Sequence, residues 1–288
     1  MKGKSIIEVL LVFTITTFIT WVLRLVLGDL IRLEIETLGW SYIGGTISVL
    51  ITLFVMFLTK MDFETYGITK KKWKYNLDVG LTCYLVLPIP IVFLLVFNLN
   101  YVEIIGGLIL AVSFIIALLL ILLILQYREK KSDEPREVNI RANLILLSIL
   151  LFLPILIGIL LHKPTSVILK VVSTVIWQFV FSGFGEELRY RGYYQSRINN
   201  EFGRPYKFLG VEFGPGLIIA SLLFGITHAL NTFSPFEGIY EIAWGWGFFT
   251  IFGGAFFGFI KEKTNSIIAP GIAHGSDAIG ESFRILFS

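Results

Sequence analysis

The sequence predicts an all-α fold, a polytopic integral membrane helix bundle of about eight or nine transmembrane helices. Two observations carry this. Hydrophobic residues make up 55% of the 288 positions against 16% charged, with a mean hydropathy of +0.79. Apolar runs near twenty residues, enough to cross a hydrocarbon core, recur along the chain. A chain of this length therefore builds one bundle rather than two soluble domains. The net charge of +3 is placed by topology and gives no ground for a nucleic-acid partner. Cys83 is the single cysteine and lies in an apolar run, which excludes an intrachain disulfide and a cysteine-based metal cluster.

The first run, Ile6 to Leu27, follows Lys2 and Lys4 and has no small-x-small site after it, so it is expected as a retained span with Arg24 snorkelling outward. The second, Tyr42 to Leu58, leads into Lys60, Lys70, Lys71, Lys72 and Lys74 interleaved with Phe63, Tyr66, Trp73 and Tyr75. That mixture suits either a short helix on an anionic membrane surface or an ordinary loop. The third, Val79 to Phe97, should kink or break at Pro88 and Pro90. The fourth, Ile104 to Leu125, is the most hydrophobic and is expected at the lipid-facing periphery. The mixed-charge stretch from Tyr127 to Arg141 then divides the chain into accessory helices at 1–140 and a chemical core at 141–288.

The fifth run, Leu144 to Leu161, contains Pro154, and the sixth, Val167 to Phe184, leads into FSGFGEELRYRGYYQ. The seventh is Gly216 to Leu230. The eighth, Ile242 to Ile260, is rich in aromatics and has Gly254 and Gly258 at close-contact spacing. The ninth, Ser266 to Phe287, is interrupted by Pro270. Lys and Arg number two before the first span, five after each of spans two, four and six, and two after span eight. The alternate loops are nearly bare, which predicts a multi-pass cell-membrane protein with a cytoplasmic N-terminus.

Chemistry concentrates in three places: Glu186, Glu187 and Arg191 in EELRYR, then His228, then His274. If the sixth helix continues to about Asn199, Glu186 lies thirteen residues from its end and His228 thirteen from Pro215. Both are then at a depth of about 20 Å, and His274, eight residues past Ser266, is at about 12 Å. The three can meet in one cavity open to the cytoplasm. Glu187 and Arg191 share a helical face and can pair, whereas Glu186 points about 100° away. This division makes Glu187 and Arg191 scaffold and Glu186 the base. A carboxylate in an apolar setting needs such partners. His162, at a span end beside Lys163, is expected to have no chemical role.

Taken together, Glu186-Glu187-Leu-Arg-Tyr-Arg191, Phe224-Gly-Ile-Thr-His228 and Ser266-Ile-Ile-Ala-Pro270-Gly-Ile-Ala-His274 resemble the CAAX protease and bacteriocin-processing family of intramembrane proteases. The match covers about the last 110 residues. The resemblance implies an intramembrane endopeptidase in which Glu186 and His228 activate water and His274 stabilises the oxyanion. Its partners are the lipid bilayer and a hydrophobic or lipidated peptide or protein. It implies no required cofactor, with zinc on Glu186, His228 and His274 as the alternative. The family motif commonly has Asn four residues after the last His. Here that position is Ala278, with Asp277 beside it as a supporting residue able to orient His274. The departure keeps a second reading open, a non-catalytic membrane binding or immunity-type protein on the same fold.

Overall fold

The computed structural model describes residues 3–130 and 138–287. Residues 131–137, within the mixed-charge stretch, lie outside the described residues, and the expected division at 140/141 falls at the start of α6. The helices are α1 (Lys4–Leu38), α2 (Tyr42–Leu58), α3 (Trp73–Val86), α4 (Pro88–Val96), α5 (Ile104–Lys130) and α6 (Ile140–Leu160). They continue with α7 (Thr165–Phe202), α8 (Pro215–Ala229), α9 (Trp244–Thr264), α10 (Ile268–His274) and α11 (Asp277–Phe287).

The bundle is all-α, apart from two short hairpins in the loops flanking α8. Strands β1 (Tyr206–Phe208) and β2 (Val211–Phe213) pair antiparallel, as do β3 (Phe233–Ser234) and β4 (Ile239–Tyr240). Among the described residues, six helical segments are long and apolar enough to cross a membrane. Helix α2 is shorter, and α9 has the length, at 21 residues, but is less apolar. The expected ninth span is two pieces, α10 of 7 residues and α11 of 11, separated at Gly275 and Ser276. Neither piece reaches across a bilayer alone, since about 20 residues are needed.

Local chemistry explains most boundaries. Helix α1 has a non-helical residue at Leu27, where the apolar run ends, yet continues to Leu38 and stops at Gly39 in the left-handed region. The chain breaks at Leu87, ahead of the two prolines, because neither proline can donate a backbone hydrogen bond to the preceding turn. Ser41 and Asn139 cap α2 and α6 with side-chain oxygens on Gly44 and Ala142 amides. The basic-aromatic segment after α2 holds one short 3₁₀ turn, Phe63–Tyr66, that buries Tyr66 against Tyr193, and its end, from Trp73, is the start of α3.

Packing differs from the hydrophobicity order. Helix α5 is not peripheral: Ala117, Ile121 and Leu122 are buried, and its flank packs along α9. Helices α1 and α6 face outward instead, with only 11% of their apolar windows buried. Lipid and protein interiors are equally apolar, so hydropathy does not rank helices by position. The core has α9 at its centre, between α8 and α5. Close approach depends on small residues: a Cβ at Gly247 would meet Ala229 Cβ at 2.6 Å, and one at Gly254 would meet Ser221 Cα at 3.0 Å.

Candidate active site

Helix α7 runs without a break through the acidic motif, but its turn widens. It is α-helical to Ile176, π-helical over Trp177–Glu186 and Leu188–Gln195, and α-helical again from Ser196. A widened i→i+5 turn is uncommon and concentrates at functional sites. Here the widened turns carry Glu186 and Arg191, with Glu187 at the α-helical residue between them. Helix α10 comes against it through glycine: a Cβ at Gly183 would meet the Gly271 carbonyl at 2.8 Å and the Gly275 amide at 3.1 Å. This contact brings His274 to the carboxylates.

Glu187 is fully buried and Arg191 is 1% exposed. Arg191 Nη1 donates to Glu187 Oε1 at 2.7 Å, and Nη2 donates to the Gly254 carbonyl at 2.9 Å. The guanidinium lies over Phe224 (4.5 Å to the ring centre) and near Phe257 (5.3 Å). Breaking such a pair would strand a charge in the interior, so it acts as a fixed frame.

His274 Nδ1 is 3.0 Å from the same Glu187 Oε1. Its Nε2 is 3.7 Å from Glu186 Oε2 and 3.4 Å from Ser182 Oγ. The ring stacks on Phe257 at 4.5 Å. Glu187 therefore orients His274. Asp277, exposed at the start of α11, makes no hydrogen bond to His274 among the described residues, although its charge acts on that ring. Glu186 is the more open acid, its side chain 34% exposed, and its inner oxygen, Oε2, has no hydrogen-bond partner among the described residues.

His228 sits on the other side of Phe224, whose ring is 4.4 Å from His228 and 5.8 Å from His274. Its Nδ1 bonds the Phe224 carbonyl at 2.8 Å, leaving Nε2 for other work. Trp246 of α9 meets its edge at 5.6 Å. The charges acting on it are those of Glu186, His274 and Arg191.

Ser182, four residues before Glu186, has no motif to mark it in the sequence. The Phe224 ring touches both histidines and Arg191. Arg189 and Arg191 follow the sixth apolar run in sequence, yet both belong to α7, Arg191 buried and Arg189 partly so. No group of three His, Cys, Asp or Glu side chains among the described residues converges as metal ligands must.

Comparison with known families bears on the same segment. A family model described as Type II CAAX prenyl endopeptidase Rce1-like matches residues 168–277, under half of the 288. Over residues 168–277 the chain is similar to that family. It is the family to which the three motifs point, and it is one of membrane proteases. No curated protein and no solved structure matches the chain. The Rce1-like segment holds all of α8, α9 and α10 and most of α7, ending at Asp277. The matched segment leaves out α1 to α6.

Proposed function

We propose that this protein is a glutamate-dependent intramembrane endopeptidase that cuts a hydrophobic or lipidated peptide segment near the bilayer. The observation that carries the reading is the division of labour between adjacent acids. Glu187 is buried and shares its Oε1 between Arg191 and His274, while the Glu186 side chain is 34% exposed and engaged in no hydrogen bond at its inner oxygen. One carboxylate fixes the frame and the other is free to accept a proton.

In the proposed reaction Glu186 takes a proton from water as the water oxygen bonds to the scissile carbonyl carbon. His228 orients that water through Nε2, its Nδ1 being held by Phe224. The carbonyl becomes a tetrahedral oxyanion, which accepts from His274 Nε2–H. With Nδ1–H on Glu187, the doubly protonated His274 ring donates from both nitrogens, and two cations then face two carboxylates. Collapse of the intermediate breaks the C–N bond, and Glu186 returns its proton to the leaving amine. Ser182 Oγ, beside His274 Nε2, supplies a second donor where Ala278 lacks the amide common in the family.

The loop charges support a cytoplasmic N-terminus and an active-site opening on the same side. The test is cleavage of a quenched fluorescent lipidated peptide by purified protein, beside Glu186→Gln, with and without chelator. Cleavage by wild type alone that survives chelation is expected. Loss on chelation with rescue by zinc overturns the metal-free mechanism, and equal turnover by Glu186→Gln overturns the assignment of the base. The rival reading, a non-catalytic member, is favoured by Ala278; turnover appearing only in Ala278→Asn would establish it.

A further inference from the structure

The basic-aromatic connection between α2 and α3 takes no part in the chemistry proposed for the glutamates and histidines. It carries five lysines, Lys60, Lys70, Lys71, Lys72 and Lys74, against two acids, Asp62 and Glu64. Lys71 pairs with Glu64 at 2.6 Å, which folds the second lysine group back onto the 3₁₀ turn that begins at Phe63. Among the described residues Lys60, Lys70, Lys72 and Lys74 have no carboxylate within ion-pair distance, and all four are exposed. The loop charges support a cytoplasmic position for this end of α2.

An apolar groove lies beside these charges. Its volume is about 330 Å³, and it is lined by Phe57, Leu58, Lys60, Met61 and Phe63. Ligand sites commonly fall between about 300 and 1,000 Å³. Phe54, Phe57 and Leu58 share one face of α2, at i, i+3 and i+4, and each is more than half exposed. An apolar stripe that ends in unpaired cations matches a molecule with acyl chains and an anionic head. Because the stripe continues down a helix of the bundle, lipid rather than a soluble partner faces it.

The same segment touches the helices of the site. Tyr66 packs on Tyr193 at 6.1 Å, a Cβ at Gly192 would meet the Tyr66 carbonyl at 3.3 Å, and Met61 Sδ accepts from Arg197 at 3.5 Å. These three contacts are with α7. Ile267, seven residues before His274, donates its amide to the Gly67 carbonyl at 3.1 Å. A ligand that fixes this connection therefore bears on both α7, which carries the glutamates, and α10, which carries His274.

We propose that the groove binds one anionic phospholipid of the surrounding leaflet and that the bound lipid raises turnover by holding the α2–α3 connection on α7 and α10. Its phosphate lies on Lys60 and the lysines from 70 to 74, and a chain lies along Phe54, Phe57 and Leu58. The turnover half rests on the endopeptidase reading above; the binding half does not.

Binding is read by native mass spectrometry of delipidated Glu186→Gln protein in detergent, titrated with phosphatidylglycerol or with phosphatidylcholine of the same chains. Turnover of the lipidated peptide is read on the wild type in phosphatidylcholine nanodiscs with and without phosphatidylglycerol. Phosphatidylglycerol is expected to bind about tenfold or more tighter, since each lysine near an anionic headgroup contributes about fivefold, and to raise kcat severalfold. Combining Lys60→Gln, Lys70→Gln, Lys72→Gln and Lys74→Gln should remove both effects and leave the unfolding temperature unchanged, because these side chains are exposed and unpaired. Lys207→Gln, on the hairpin before α8, should remove neither. Gly67→Ala should bind the lipid without gaining turnover from it, because Gly67 has a φ of +78° and an added Cβ would lie 3.2 Å from the Ile267 amide. Equal binding of the two lipids, or a preference that survives the four lysine changes, overturns the proposal. A preference lost equally in Lys207→Gln gives the effect to overall surface charge and overturns it as well. Binding with no change in wild-type turnover, or stimulation that persists in Gly67→Ala, overturns the activating role. Lysine-dependent binding in a protein with no Glu186-dependent cleavage in either lipid upholds the site and overturns the hydrolytic reading.

Discussion

At the scale of the residue, the two adjacent glutamates differ in what surrounds them rather than in what they are. Glu187 is enclosed by Arg191 and His274, so its substitution should act on the fold. Replacing Arg191 by Met leaves Glu187 without its cation at full burial, with an expected loss of about 3–5 kcal/mol seen as a lower unfolding temperature in detergent. Glu186→Gln keeps the shape and removes only the proton acceptor, so its unfolding temperature should match wild type while turnover falls by about 10²–10⁴. If Glu186→Gln unfolds early and Arg191→Met does not, the roles of frame and base are reversed. Ser182 gives a finer test: Ser182→Ala should lower kcat about tenfold with KM unchanged, because the donor acts on the oxyanion and not on the ground state. A change in KM alone would place Ser182 in substrate binding.

At the scale of the element, the site depends on how closely α10 can lie against α7. Gly183, Gly271 and Gly275 form that contact, and none has room for a side chain. Gly183→Val should separate the helices, cost about 1–3 kcal/mol and reduce turnover with Glu186 and His274 both intact. Gly280 is the contrast. It sits in α11 with its nearest neighbour, Ile91 Cδ1, at 3.9 Å from an added Cβ, which is ordinary contact. Gly280→Ala should stabilise by about 0.5–1 kcal/mol through helix propensity alone. A melting series of the two variants tests whether close packing, rather than glycine flexibility, is what α7 and α10 require.

At the scale of the whole molecule, the helices before residue 141 are built into the rest. Arg197 of α7 pairs with Glu8 of α1 at 2.7 Å, Tyr193 donates to the same acid, and Glu201 accepts from the amides of Gly3 and Ser5. Trp40 and Tyr42 reach Thr174 and Ser173. Helix α3 lies along α10, with Ala269 and Ile272 against Gly80. The orientation expected from loop charge, with the N-terminus cytoplasmic, can be read by labelling. Cys83 is fully buried, so cysteines placed at Lys72 and Lys163 report alone. In intact expressing cells an impermeant maleimide should label position 163 and spare position 72. The reverse pattern would invert the topology.

The all-α membrane fold was legible in composition, because in lipid only a segment that satisfies its own backbone can span, and long apolar runs therefore mean helices. The break near Pro88, the end of the first apolar run at Leu27 and the continuous helix through the acidic motif also follow from local chemistry. So does the Glu187–Arg191 pair, since four residues on one helix are neighbours whatever surrounds them. What lies around those residues is decided only by packing. Hydropathy could not show that α5 is central and α1 and α6 are outer, because lipid and core are equally apolar. Helical periodicity of 3.6 could not show the π turn over Trp177–Gln195, which places Glu187 and not Asp277 on His274. Nor could sequence distance bring Arg24 to Arg189, 165 residues apart, around one cavity. Local contacts are written in neighbouring residues, whereas the meeting of α1, α7, α8 and α10 depends on small residues on several helices allowing close approach at once.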